Sequence, residues 1–311
     1  MAAPLIVVAL GGNAISPKGV DSVDAVWSNV RNVARAVVEA KRRGYNIVLT
    51  HGNGPQAGYL LEAIESLPPE RPRQTLDIIV AMTQGWIGYL LTHSITVEAR
   101  RLGVDVRSVA MLTRVLVDPS DPAFSNPTKP VGFYYSEQEA RRLERERGWT
   151  MRPDPRGGYR RVVASPRPLD VVEHETVAKL ARAGVIVVAA GGGGIPVTLD
   201  ELEPVEAVVD KDLASSLLAR LIEADRLVIL TDVKGVALNY GKPGETWLGR
   251  VRVSQLKRYH AEGHFPPGSM GPKVEAAIEF VEATGRYAAI GHLQDALDVI
   301  ELREGTIVEP G

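Results

Sequence analysis

The chain has 311 residues, with 36 Lys and Arg against 38 Asp and Glu for a formal net charge of -2, and it contains no cysteine. So balanced a charge leaves no basic footprint for nucleic acid, and the absence of thiols excludes disulfides, thiolate catalysis and cysteine-bound metal. Hydrophobic residues make up 45% and charged residues 24%, the balance of a soluble globular protein long enough to bury a sizeable core.

The first predicted element is the strand "LIVVAL", residues 5–10, which ends in Gly11, Gly12 and Asn13. This apolar run falls far short of the about 20 residues a membrane span needs, and no basic segment precedes it. The expectation is a cytoplasmic protein without a membrane partner. Glycine admits positive φ and lets backbone N–H groups approach a ligand, so a strand–Gly-Gly–helix turn can cradle an anion. A plain tight turn would read the same way. The segment "VDAVWSNVRNVARAVVEAKRRG" follows with apolar residues every three to four positions, a helix. A second strand, "NIVLT", runs into His51, Gly52, Asn53 and Gly54, whose backbone donors and side-chain amide suit an anion. His51 reads as a packed or hydrogen-bonded histidine and not as an acid–base group.

Residues 118–165 break the rhythm, with "DPSDPAFSNPTKPVGFYY" and "MRPDPRGGYRRVVASP" on either side of a charged helix predicted at roughly 136–147. That is too long for a passive loop. It is expected to be a protruding subdomain, or lid, inserted in a single domain spanning 1–311. The Arg/Glu pattern of "ARRLERERG" is compatible with a thermophile.

Strand and helix signals then resume. "GVIVVAA" ends in four glycines, Gly191 to Gly194, whose entropic cost only close backbone approach or unusual dihedrals would justify. In "AVVDKDLASSLLARLI", Asp210, Lys211 and Asp212 precede a helix whose N-terminal end would attract phosphate; N-capping by either aspartate is the plainer reading. "RLVILT" ends at Thr231 and Asp232 and is followed by a turn at Tyr240-Gly241-Lys242-Pro243. Finally, "FPPGSMGPKVEAAIEFVE" places Gly268, Met270, Gly271 and Lys273 at the start of an amphipathic helix. A lysine there opposes the helix dipole and asks for an anion. Strands alternating with helices imply a mostly parallel sheet covered on both faces, with the glycine turns gathered at one cleft beyond the carboxyl ends of the strands. No P-loop, protein-kinase, GxGxxG or HExxH pattern is present.

Taken together, "ALGGNA", "HGNGPQ", "AMTQGWIGYLL", "NPTKPVG", "AAGGGGIPV", "VVDKDLA", "LTDVKGV…NYGKP" and "PPGSMGPKVEAAI" resemble, in this order, the carbamate kinases of the amino acid kinase family. The resemblance runs from Leu5 to about Ile290. It implies an α/β fold with an open, mainly parallel eight-stranded sheet between helical layers, a protruding subdomain and a homodimer. It implies reversible phosphoryl transfer between carbamoyl phosphate and ADP, giving ATP and carbamate, with Mg²⁺ held on the nucleotide by phosphates and water. Relatives such as acetylglutamate kinase carry a lysine on the first strand; here "VVALGG" has none, and the resemblance assigns that charge to Lys129 of "NPTKP".

By the same matching, Lys129 and Lys211 contact the transferring phosphoryl group, Lys273 the nucleotide phosphates, and Asp210 orients the lysines. Gly11, Gly12 and Asn13 supply backbone donors, and Gly52, Asn53 and Gly54 hold carbamate or its phosphate. Thr231, Asp232, Tyr240, Met270 and Gly271 line the nucleotide pocket. The chain departs from the family pattern at "VGFYY", at Thr113-Arg114 and at "AAIGHL". Another acyl-phosphate-forming kinase of the family, or a non-catalytic nucleotide-binding protein on the same scaffold, are the competing readings.

Overall fold

Six consecutive apolar residues, Leu5–Leu10, can satisfy a strand only if both faces are covered, and every one of them is buried. In this computed structural model, which describes residues 3–15, 23–68, 70–154 and 157–311, that strand lies inside an eight-stranded sheet. The strand order is Arg250–Arg252, Thr306–Glu309, Tyr287–His292, Arg226–Thr231, Leu5–Leu10, Asn46–His51, Ile186–Val188 and Ser108–Ala110. All pairings are parallel except Tyr287–His292 with Thr306–Glu309. The expected open, mainly parallel eight-stranded sheet is what the chain forms.

The period of two along the first strand divides the core between the two faces. Leu5, Val7 and Ala9 join the apolar cluster that includes Leu218 of the Lys211–Leu221 helix and Phe280 of the Met270–Thr284 helix. Ile6, Val8 and Leu10 join the opposite cluster with Val33 of the Val23–Arg42 helix and Ile87 of the Leu76–Leu102 helix. This last helix has 27 residues and ends at Gly103 in the left-handed region, φ 66°. By length and composition it could cross a membrane, yet more than half of its apolar stretch is buried inside the protein. Its own apolar residues run around most of its circumference, which blurs the 3.6-residue period in the sequence.

Between the antiparallel strands Arg114–Val117 and Pro168–Val171 the chain leaves the main body. It forms a second, antiparallel sheet of Lys129–Tyr135, Tyr159–Val163 and Thr150–Pro153. The helix Glu137–Arg147 lies beside it, started by a capping box between Ser136 and Glu139 and stopped by Gly148 at φ 64°.

The strand order reverses beside Leu5–Leu10: the chain steps to Asn46–His51 on one side and later returns to Arg226–Thr231 on the other. Such a switch point opens a crevice at the carboxyl ends of the strands. The far wall of that crevice, from Asp232 to Ala237, is anchored by Thr306, whose buried hydroxyl accepts the N–H of Val236 at 2.8 Å and donates to the carbonyl of Leu248. Thr306→Val would leave both backbone groups buried and unpaired. It is expected to cost about 2–4 kcal/mol of stability, read as a lowered urea midpoint with an unchanged m-value.

Candidate active site

The turns after three neighbouring strands meet at the crevice. Gly11 N donates to Leu230 O at 2.9 Å and Gly52 N to Leu10 O at 2.9 Å, so each turn is tied to the end of the adjacent strand. A Cβ on Gly52 would stand 2.8 Å from Gly12 N and 3.6 Å from Lys211 Cδ. Glycine is required there because two backbones and a lysine stem converge. The resulting cleft, about 570 Å³, is lined by Gly11, Gly12, Gly52, Asn53, Gly54, Lys129, Asp210, Lys211, Thr231, Asp232, Tyr240, Met270 and Lys273, and also by Asp212.

Its chemistry is organised by two carboxylates. Asp210 is the N-cap of the Lys211–Leu221 helix: Oδ1 accepts the N–H of Asp212 at 2.9 Å and Oδ2 accepts Lys129 Nζ at 3.2 Å. Asp212, two positions further along in the first turn, accepts Lys211 on Oδ1 and Lys273 Nζ on Oδ2 at 3.1 Å. Three ammonium groups from distant parts of the chain are thereby joined through two acids. Asp212 is 3% exposed. Burial raises its pKa, but the ammonium groups of Lys211 and Lys273 outweigh burial and hold the carboxyl below its usual range. Burial lowers the pKa of Lys211, with Lys273 adding to the effect and Asp212 opposing it.

Several expected positions land differently from their sequence reading. Asp210 alone does not orient the lysines; it holds Lys129, and the acid between Lys211 and Lys273 is Asp212. As an N-cap, Asp210 turns its side chain back onto the helix end, whereas Asp212 projects sideways from the first turn. Lys273, unfavourable at a helix start, has its counter-ion in Asp212. Gly271 stands behind the cleft wall: its N–H donates to Pro266 O at 2.9 Å, the same distance at which a Cβ would meet that oxygen. Tyr240 is at the rim, 56% exposed, with its ring edge-on to Trp247 at 5.9 Å. Asn13 belongs to the short helix Gly12–Ile15, and its side chain lies outside the described residues.

The four glycines are used mainly for packing. A Cβ on Gly193 would stand 2.2 Å from Val209 O, and one on Gly194 2.1 Å from Val115 Cγ2; of the four only Gly192 lines the cleft. His51 is a packed residue, 1% exposed, with Nδ1 3.1 Å from Gly52 O. Two residues that the sequence reading left unassigned, Thr83 and Gln84, brace these turns from the Leu76–Leu102 helix. Gln84 Nε2 donates to Thr113 O at 3.1 Å and Gly191 O at 2.9 Å, and Thr113 N donates back to Gln84 Oε1 at 2.9 Å. Two adjacent buried polar residues in an apolar helix are the sequence signal for such a role.

The sequence model of the amino acid kinase family matches residues 4–292. A carbamate kinase from Pyrococcus furiosus is 49% identical over 310 residues, covering 98% of this chain and 99% of that protein. The chain belongs to the amino acid kinase family, among its carbamate kinases. Solved structures of carbamate kinases agree in fold: one from Giardia lamblia bound to AMP-PNP has a TM-score of 0.94 at 40% identity, covering 100% of this chain and 99% of the other. A solved structure from Aeropyrum pernix K1 has a TM-score of 0.94 at 57% identity, covering 99% and 100%. In this carbamate kinase fold two of the departures noted in the sequence are absorbed locally. Arg114 donates its backbone N–H and Nε to Glu173, each at 2.8 Å. A Cβ on Gly291 of "AAIGHL" would stand 2.5 Å from Val299 Cγ2.

Burial, with Lys211 nearby adding to it against a backbone contact to Gly52, pushes the pKa of His51 down from 6.5 to about 4. The folded chain therefore holds His51 neutral where the unfolded chain protonates it. The stabilisation is complete above about pH 6.5 and is lost as pH falls toward about 4, a change on the order of 3 kcal/mol. Urea unfolding between pH 4 and 7 is expected to show this slope, and His51→Gln to flatten it.

Proposed function

We propose that the chain catalyses reversible phosphoryl transfer between carbamoyl phosphate and ADP, giving ATP and carbamate. The observation that carries this reading is the convergence of Lys129, Lys211 and Lys273 on one cleft through Asp210 and Asp212. Phosphoryl transfer needs alignment and positive charge about the migrating PO₃ unit more than it needs covalent help. At an effective dielectric of about 20, unit charges 4 Å apart interact by about 4 kcal/mol. Lys129 and Lys211 are assigned to the transferring group and Lys273 to the nucleotide phosphates, with Asp212 setting the spacing of the latter two.

The turns take the remaining roles. Gly11 and Gly12 offer backbone donors to the phosphoryl group, Gly52, Asn53 and Gly54 hold carbamate, and Thr231, Asp232, Tyr240 and Met270 surround the nucleotide. Carbamate is already an anion at neutral pH, so no residue has to remove a proton, in keeping with a His51 that is buried and neutral. Mg²⁺ on the nucleotide would keep most of its ligands as water and phosphate oxygens and would neutralise charge there. Asp232, which accepts the Thr231 hydroxyl at 3.1 Å, is the cleft carboxylate outside the lysine pairs and the protein oxygen best suited to it. The segment 118–165 acts as a lid within the single domain 1–311, bringing Lys129 to the cleft. An enzyme without cysteine that draws on ADP and ATP suits the cytoplasm.

A second copy of the chain is the natural cover for the outer face of the Leu76–Leu102 helix. From Ile78 to Val97 it carries no Asp, Glu, Lys or Arg, and Met82, Trp86 and Tyr89 are 44%, 41% and 58% exposed. An apolar stripe about 30 Å long suits an isologous contact between like helices.

Two measurements check these readings. ATP formation from ADP is expected with carbamoyl phosphate in strong preference to acetyl phosphate or acetylglutamyl phosphate, and Lys129→Ala should lower kcat by about a hundredfold or more. Equal rates with all three donors, or an unaffected variant, would count against the assignment. Sedimentation should show a dimer that Trp86→Glu converts to monomer.

A further inference from the structure

Asn53 lines the cleft between the second glycine turn and the Leu76–Leu102 helix, and its amide has almost no freedom. A Cβ on Gly192 would stand 2.3 Å from Asn53 Nδ2 and 3.0 Å from Oδ1, so the amide fills the space that a side chain at Gly192 would need. A half-turn of that amide exchanges oxygen and nitrogen in the same space. Which of the two faces the cleft decides whether the site offers a substrate an acceptor or a donor.

The decision is made by Thr83, a fully buried residue outside the motif that contains Asn53. Its Oγ1 donates its single proton to Val80 O at 2.7 Å, so towards Asn53 it presents lone pairs. At 2.9 Å it therefore accepts from Asn53 Nδ2. The carboxamide oxygen is left over. It accepts from none of the described residues and is not among the fully buried unpartnered atoms, which leaves it open to the cleft.

The geometry points to Thr83 as the specificity-positioning residue of this site: it holds the Asn53 amide with Oδ1 toward the acceptor substrate, where it accepts a hydrogen bond from a substrate –NH₂ group. The inference rests on the carbamate kinase reading and deepens it. Carbamoyl and acetyl phosphates have nearly the same shape and differ in an amino group against a methyl group. Size cannot separate them. A fixed acceptor can, because a methyl group leaves Oδ1 desolvated and unpaired, whereas an amino group satisfies it. Had the amide faced the other way, its N–H₂ would oppose the substrate amino group and the preference would weaken. No proton moves in this role, and Thr83 touches neither the nucleotide nor the migrating phosphoryl group.

The test is the ratio of kcat/KM for carbamoyl phosphate to that for acetyl phosphate, each with ADP and Mg²⁺, in the full-length chain and in Thr83→Val and Thr83→Ser. Valine keeps the volume and removes the acceptor. The ratio is expected to fall by about tenfold to a hundredfold, mainly through carbamoyl phosphate, with the KM for ADP within about twofold. Serine, which keeps the hydroxyl, should retain the parent ratio. If valine does not fold, Thr83→Ala is read by the same criterion. An unchanged ratio in the valine or alanine variant, with both donors slowed equally, would mean a merely structural Thr83 and would overturn the inference while leaving the carbamate kinase reading intact. A serine variant whose ratio drops as far as that of valine would overturn it too. A parent protein that turns over neither donor would overturn both readings.

Discussion

Like charges do not gather unaided, and three ammonium groups in one cleft are a problem before they are a catalytic asset. At separations of a few ångströms their mutual repulsion amounts to several kcal/mol, which must be met from within the fold. Asp212 is the central answer. Nearly out of contact with solvent, it spends one oxygen on Lys211 and the other on Lys273, while Asp210 does the same for Lys129 with the oxygen not used in capping. Both acids lie at the start of one helix, so a single local geometry sets the spacing of charges contributed by residues 129, 211 and 273.

That geometry depends on the sheet. The Lys211–Leu221 helix can present its N-terminus at the crevice because it packs on the face of the first strand that carries Leu5, Val7 and Ala9. On the other face, the Leu76–Leu102 helix packs against Ile6, Val8 and Leu10. The strands thus carry two different supports for one site: charge from one side, and through Thr83 and Gln84 the positioning of the glycine turns from the other. The turns have room to meet only because no Cβ stands between Gly52 and Gly12. A close approach of backbones and a close approach of charges are the same requirement seen at two scales.

Much of this was legible in the residues. Apolar runs ending in glycine or aspartate marked four of the strands, Leu5–Leu10, Asn46–His51, Ile186–Val188 and Arg226–Thr231, and the proline- and arginine-rich stretch marked an insertion whose charged helix begins within a residue of the predicted start. Lys273, set against the dipole at a helix start, pointed to the cleft. The Leu76–Leu102 helix was harder to see, because a helix covered on one side by the core and apolar on the other loses the period that announces it. Asp210 and Asp212 could not be ranked: two acids flanking a lysine look alike until the N-cap dihedrals send one back along the helix and the other outward. Gly271 carried the same ambiguity, since a glycine that faces a ligand and one that faces a carbonyl are written with the same letter. Thr83 was hidden for a related reason: its effect passes through the amide of a different residue, thirty positions earlier.

Acids placed among lysines that are proposed to bind phosphate ought to weaken that binding. The count of donors resolves it. An ammonium group has three N–H bonds, and each lysine here commits one to a carboxylate, leaving two that can turn to a ligand. Three positive and two negative charges leave a net excess of one, enough to attract an anion and too little to drive the lysines apart. Repulsion that would otherwise be relieved by lysines turning out to solvent is instead relieved in place. In the proposed reaction the donors are then already aimed when a phosphoryl group arrives, and little reorganisation is left to oppose its transfer.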